Sequence, residues 1–354
     1  MMSEQKKFFL TLALSCCVSL LLAAFTFVVN YFKFNSNELF LISDARYYNS
    51  ILIKKFDFDS VIIGSSLSQC FKCSDFDTAF QAKSMKLTMV GANLAEIGFM
   101  LEQAEKDRDL KYLMLEVPVA FLKREQNLDK IETGYYEADT NLFYMKKSFS
   151  VDFFCDAFHF ASKFCRGKIK YTNRDDIYAW DKKRACGEEY FAENTLYKPL
   201  PYVDCTTPES IEMAKLNMQR YLLPILKKHK NSRILVFLPP FSIMFYQNID
   251  MDEYIKLKRE LLEMLLQFEH VQVYDFETAF HITGDFDRYL DLVHYSGKVN
   301  TWIIESMAKG DYLITKENRE EQLQRLHQHV RSYDFQKARD YLEKVHRKQK
   351  SKQN

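Results

Sequence analysis

At 354 residues the chain holds one large domain or two small ones, and 47% hydrophobic residues are enough for a real core. A formal net charge of +1 excludes a global electrostatic attraction to nucleic acid. With 9 Gly and 7 Pro beside 30 Phe and 21 Tyr, disorder and a loop-dominated all-β fold are also disfavoured.

The first element is an uncharged run from Phe8 to Phe32. A membrane-spanning helix needs roughly 20 apolar residues, so this run is long enough with some tilt. A cleaved signal peptide has a shorter apolar region that ends in small residues. This run instead ends Val-Val-Asn-Tyr-Phe. Lys6 and Lys7 precede it and Lys33 follows, which favours a cytoplasmic N-terminus and an extracytoplasmic domain, periplasmic or at the cell surface. Residues 1–33 are thus read as stub and anchor, and 34–58 as a polar connector.

Two of the 8 cysteines, Cys16 and Cys17, lie inside the apolar run and act there as small apolar residues. The others are Cys70, Cys73, Cys155, Cys165, Cys186 and Cys205. An even set outside the cytosol suggests disulfides, with Cys155–Cys165 and Cys186–Cys205 as natural pairs among several connectivities. Cys70 and Cys73 have no second CxxC to complete a metal site, so they read as a helix-borne pair or a local bridge.

Residues 59–310 carry an alternating pattern. SVIIGSS (60–66) is a buried strand running into a turn, Ser68 to Phe80 a helix, and KLTMV (86–90) a second strand. GANLAEIGFMLEQAEK (91–106) has helical apolar spacing, and YLMLEVP (112–118) is a third strand stopped by Pro118. Residues 120–207 break the rhythm and read as a helical and irregular insertion. Thr207 and Pro208 then open a helix as N-cap and first helical residue. RILVFLPP (233–240), a helix over 251–268, VQVYDF (271–276) and a helix over 298–308 follow. Strands alternating with helices imply an α/β fold with a parallel sheet of about five strands, covered on both faces. Residues 311–354 form a basic helical tail, read as a solvated appendage.

In such sheets reactive groups gather at the carboxyl ends of strands. Ser66 ends the first strand at a tight turn, where backbone N–H groups face a developing oxyanion. Asp291 and His294 follow the fifth strand, and their spacing lets the carboxylate fix the imidazole tautomer. The imidazole makes the serine a competent nucleophile. Glu116 and Ser242, each after a strand, are candidate substrate contacts, though a structural carboxylate and a rigid turn explain them as well. None of the 8 histidines has zinc-ligand spacing with a carboxylate, so neither metal nor cofactor is expected.

The order strand–Gly64-Ser65-Ser66-Leu67, then Gly91-Ala92-Asn93-Leu94 entering a helix, then Asp291-x-x-His294 resembles the SGNH/GDSL hydrolase superfamily. It is similar in particular to the membrane-tethered branches that include proteins of cell-wall D-alanylation and exopolysaccharide acetylation. The resemblance implies a three-layer, flavodoxin-like sheet and the triad Ser66, Asp291 and His294. It also implies an oxyanion hole from the N–H groups of Ser66 and Gly91. The family's third block adds an Asn side chain, but here that strand ends Glu116-Val117-Pro118. Asn93 is the candidate substitute, although its helix-entry position favours a capping role.

The expected function is a membrane-anchored extracytoplasmic serine esterase or O-acyltransferase acting on a cell-envelope or exported polysaccharide. Its partners would be an acylated or acyl-accepting glycan, the membrane and a membrane-bound acyltransferase, with no nucleic acid. The alternative is a catalytically silent SGNH-fold scaffold or binding protein in a surface-polysaccharide assembly complex.

Overall fold

In the computed structural model, which describes residues 4–35, 38–40, 45–136, 145, 147–197 and 205–353, the apolar runs become strands and the 3.6-periodic runs become helices. The strands among the described residues are β1 (Leu39–Phe40), β2 (Ser60–Ile63), β3 (Ser84–Lys86), β4 (Tyr112–Glu116), β5 (Tyr171–Thr172), β6 (Arg233–Leu238), β7 (Val271–Asp275) and β8 (Leu313–Ile314). They divide between two compact units, Met1–Lys54 with Ile131–Asn173, and Lys55–Lys130 with Arg174–Asn354.

The second unit is a mixed α/β domain built on a six-stranded sheet in the order β3-β2-β4-β6-β7-β8. Its first five strands are mutually parallel, and β8 closes one edge antiparallel to β7. Numbered along the chain, the parallel strands stand 2-1-3-4-5. β2 and β4 are buried throughout, with Val61 opposite Leu113 and Ile63 opposite Leu115, as expected of strands covered on both faces. The chain passes from β2 to β3 in one direction and from β3 to β4 back across β2. Right-handed crossovers therefore put the helices Cys73–Phe80 and Leu94–Glu105 on opposite faces. Helix Gly297–Lys309 packs beside Cys73–Phe80.

Several boundaries differ from the sequence reading. The second paired strand is Ser84–Lys86 rather than 86–90, although the chain stays extended until the Met89 N–H reaches the Gly64 carbonyl at 3.0 Å. β8 is only two residues long, too short to carry a period of its own. The stretch 120–207 is not one insertion: Ile131–Asn173 belongs to the first unit, and residues from Arg174 return to the sheet domain. Nor is 311–354 an appendage. Helix Arg319–Ser332 buries Leu323, Leu326 and Val330, and Arg259 and Asp252 on helix Met251–Leu265 pair with its Glu320 and His327.

Cys155, Cys165 and Cys186 are free thiols, so neither expected bridge, Cys155–Cys165 nor Cys186–Cys205, is formed. Cys155 and Cys165 lie on one helix, Val151–Cys165, and ten residues at ~1.5 Å each put them ~15 Å apart, beyond the reach of a disulfide. Burial pushes the Cys186 thiol up to about 12, and Cys205 is buried.

The first unit contains helix Glu4–Asn35, the one helix among the described residues long and apolar enough to cross a membrane. Helix Val151–Cys165 packs against it, and β1 pairs with β5.

Candidate active site

The carboxyl end of β2 delivers Gly64, Ser65 and Ser66 into a single 3₁₀ turn, Ser66–Ser68. The strand approaches β4 so closely here that a Cβ on Gly64 would lie 2.6 Å from Cβ of Glu116 and 2.6 Å from Oγ of Ser68. Only glycine fits. Beneath the turn, Glu116 accepts the Ser65 N–H at 3.0 Å, the Ser65 hydroxyl at 2.5 Å and the Ser68 hydroxyl at 2.6 Å. Burial drives the Glu116 carboxyl above its ordinary range, although the serine hydrogen bonds pull the other way.

On the far side of the sequence, the loop after β7 is closed by a bridge between Tyr289 and Tyr295 and by a Leu290 N–H bond to the His294 carbonyl at 2.9 Å. Within it, Asp291 Oδ1 accepts the N–H groups of Val293 (3.0 Å) and His294 (2.8 Å). Its Oδ2 lies 2.8 Å from His294 Nδ1. Burial alone would raise the Asp291 carboxyl. The imidazole and the two N–H groups outweigh it and hold the acid below its usual value.

The structure brings these two loops together: His294 Nε2 stands 2.9 Å from Ser66 Oγ. With Nδ1 facing Asp291, the imidazole carries its proton there and offers the Nε2 lone pair to the serine hydroxyl. Ser66 and His294 are half-buried, and Asp291 is buried behind them. Asn300 fixes the turn from outside, donating to the Leu67 carbonyl at 3.0 Å.

The other candidates are placed differently. Gly91 adopts φ +61°, and no atom lies within 4 Å of where its Cβ would stand, so it borders open space. Asn93 caps helix Leu94–Glu105. Its Oδ1 accepts from Glu96 N at 2.9 Å and its amide donates to the Asn127 carbonyl at 3.0 Å, so both ends are engaged away from the serine. Glu116 is 2% exposed and turned under the Ser65–Ser68 turn rather than toward solvent. Ser242 is fully buried, and its N–H bonds the Leu292 carbonyl at 3.0 Å, tying the loop after β6 to the Asp291–His294 loop.

Sequence reasoning missed Trp180. Its indole N–H donates to the Ser66 carbonyl at 2.9 Å, and its ring lies edge-on to His294 with centroids 5.5 Å apart. Nearby, Asp181 accepts the Gly297 N–H at 3.1 Å, at the start of the last helix of the sheet face. The segment shows no periodicity, and the only signal was a Trp in a chain with two of them. Among the described residues no group of three or more His, Cys, Asp or Glu is arranged to hold a metal ion.

A scan against protein-family models gives no match, and a search of curated proteins gives none either.

Proposed function

We propose that the chain is a membrane-anchored serine esterase or O-acyltransferase of the SGNH type. The observation that carries the reading is the continuous chain Ser66 Oγ–His294 Nε2, 2.9 Å, and His294 Nδ1–Asp291 Oδ2, 2.8 Å. Two features support it. The 2-1-3-4-5 strand order is the flavodoxin-like one that the SGNH resemblance implies, and Ser66 follows the strand next to the point where that order reverses. Gly91, the second-block glycine, follows a chain pinned to Gly64 through Met89.

In this reading Ser66 Oγ attacks the ester carbonyl carbon while His294 Nε2 takes the hydroxyl proton. The N–H groups of Ser66 and Gly91 receive the oxyanion. Collapse breaks the bond to the alcohol, which leaves with the proton from His294, and the acyl group stays on Ser66. Water or a sugar hydroxyl then attacks the acyl carbon and gives its proton to His294, the Ser66 Oγ–acyl bond breaks, and His294 returns the proton to Ser66 Oγ. Water yields the acid, and a sugar hydroxyl yields a new ester. Asp291 orients the imidazole and stabilises its charged form.

Neither Asn93, whose amide is engaged elsewhere, nor Glu116 at the end of β4 supplies the side-chain donor of the family's third block. One missing donor costs about 10²–10³ in rate. This favours a slow or transfer-specialised enzyme, and it is also what supports the second reading, a silent scaffold. The substrate, an acylated cell-envelope or exported glycan, is proposed from the anchor and the family resemblance, as is the extracytoplasmic side from Lys6 and Lys7.

Labelling by a fluorophosphonate probe of the full chain and its Ser66→Ala variant tests the reading. Labelling that disappears with Ser66 supports the enzyme. Folded wild-type protein that takes no label selects the scaffold.

A further inference from the structure

Helix Val151–Cys165 presents three faces. Phe153 and Ala157 are buried on the side toward helix Glu4–Asn35, where the rings of Phe25 and Phe154 stand 6.1 Å apart and those of Phe32 and Phe164 5.5 Å. Lys33 reaches Asp156 at 2.7 Å along the same contact. Asp152, Asp156, His159 and Lys163, spaced four, three and four, form an exposed polar stripe. The remaining face carries Val151, Cys155, Phe158 and Cys165, exposed and uncharged, with the half-buried Ser162 between the last two. Val151 is 75% and Phe158 61% exposed.

Where this helix packs, the N-terminal helix buries Ala23, Thr26, Asn30 and Lys33 at spacings of three, four and three. That line covers ten residues, or ~15 Å of rise. A hydrocarbon core is roughly 30 Å thick. A helix running beside the last ~15 Å of a spanning segment thus lies in the outer half of the bilayer or its headgroup boundary. Exposed Arg166, Lys168 and Lys170 follow its end, where lipid phosphates would sit.

We infer that Val151–Cys165 is a second membrane-seated element, an amphipathic helix whose Val151–Cys155–Phe158 face lies among lipid acyl chains beside the N-terminal helix. The occupant is lipid because the helix it packs against is itself apolar and largely exposed over its length, and because cations border the face. The inference rests on the anchor proposed above and is independent of the catalytic reading.

The test uses the full chain in phosphatidylcholine vesicles, with and without brominated acyl chains, and the variants Phe158→Trp and His159→Trp. Each is read as a difference from the parent, which already contains Trp180 and Trp302. Phe158 is exposed, so the exchange disturbs no core. The expected result is blue-shifted emission from position 158 that is largely lost in brominated vesicles, with little loss from position 159. Solvent-like emission at 158 overturns the inference, and blue-shifted emission untouched by bromine shows that protein covers the face and overturns it too. Alkaline carbonate extraction reads the anchor separately: release overturns both, whereas retention with an unquenched position 158 overturns this inference alone.

Discussion

Glu116 is where the architecture of the site is most exposed to test. Replacing it by Leu keeps the bulk but leaves three donors without their acceptor in a buried place: the Ser65 N–H, the Ser65 hydroxyl and the Ser68 hydroxyl. Each orphaned buried group costs about 1–3 kcal/mol, so Glu116→Leu should lose about 3–6 kcal/mol after some hydroxyl reorientation. That is a large part of the roughly 5–15 kcal/mol by which a domain is stable. Glu116→Gln retains an acceptor for the Ser65 N–H and the Ser68 hydroxyl and should cost about 1 kcal/mol. The sign with pH follows from the raised acid. The unfolded carboxyl, near the ordinary 4.5, loses its proton before the folded one, so Glu116 lowers stability as pH rises from 4.5 through its folded value. Glu116→Gln should flatten that fall. The assay is thermal unfolding followed by intrinsic fluorescence at several pH values, together with fluorophosphonate labelling rate. Equal stability of the Leu and Gln variants, or a pH slope unchanged in Gln, would refute the idea that a buried carboxyl holds the nucleophile turn.

Four further outcomes are expected. Asp291→Asn should retain fold and probe access but lower the labelling rate, by up to ~10⁴, because the imidazole loses the partner that sets its tautomer; an undiminished rate would remove Asp291 from the mechanism. Because the Asp291 carboxyl sits below its ordinary 3.8, its contribution to stability is complete above that pH and disappears only as pH falls through the depressed folded value, which acid unfolding of wild type against Asp291→Asn would read. Gly64→Ala should destabilise by about 1–3 kcal/mol or more, since its Cβ meets Glu116 at 2.6 Å with no flexible end to move, and a wild-type melting temperature would contradict the packing. Lys258→Met should cost about 3–5 kcal/mol, because the buried ammonium pairs with Asp275 at 2.7 Å and Glu277 at 2.8 Å, and its removal strands both carboxylates; an unchanged melting temperature would refute this.

The residues now seen at the site were legible in unequal measure. Ser66, Asp291 and His294 could be read because each follows a clear strand, and a parallel sheet sends all such ends to one rim. The support for the turn could not. Glu116 meets Ser65 and Ser68 only because β4 lies directly beside β2, and adjacency of strands is not written in either strand's own pattern. Trp180 comes from a segment held by individual hydrogen bonds rather than by periodic burial, so no local rule points to it. The Cys155–Cys165 expectation fails for a related reason: spacing in sequence is not proximity, and a single helix carries the two thiols apart. The tail misled through its charge. In its first helix Leu323, Leu326 and Val330 stand at helical spacing and are buried.

Ser66 and His294 are 228 positions apart, and this has a consequence for synthesis. At roughly 5–20 residues per second, the ribosome makes the histidine about 10–45 s after the serine. Throughout that interval the growing chain carries a hydroxyl with no base to activate it. The base takes its place only once β7 has joined the sheet and Tyr289 has met Tyr295. On the proposed reading, Ser66 therefore stays inert toward esters until the chain has been made and folded through Tyr295.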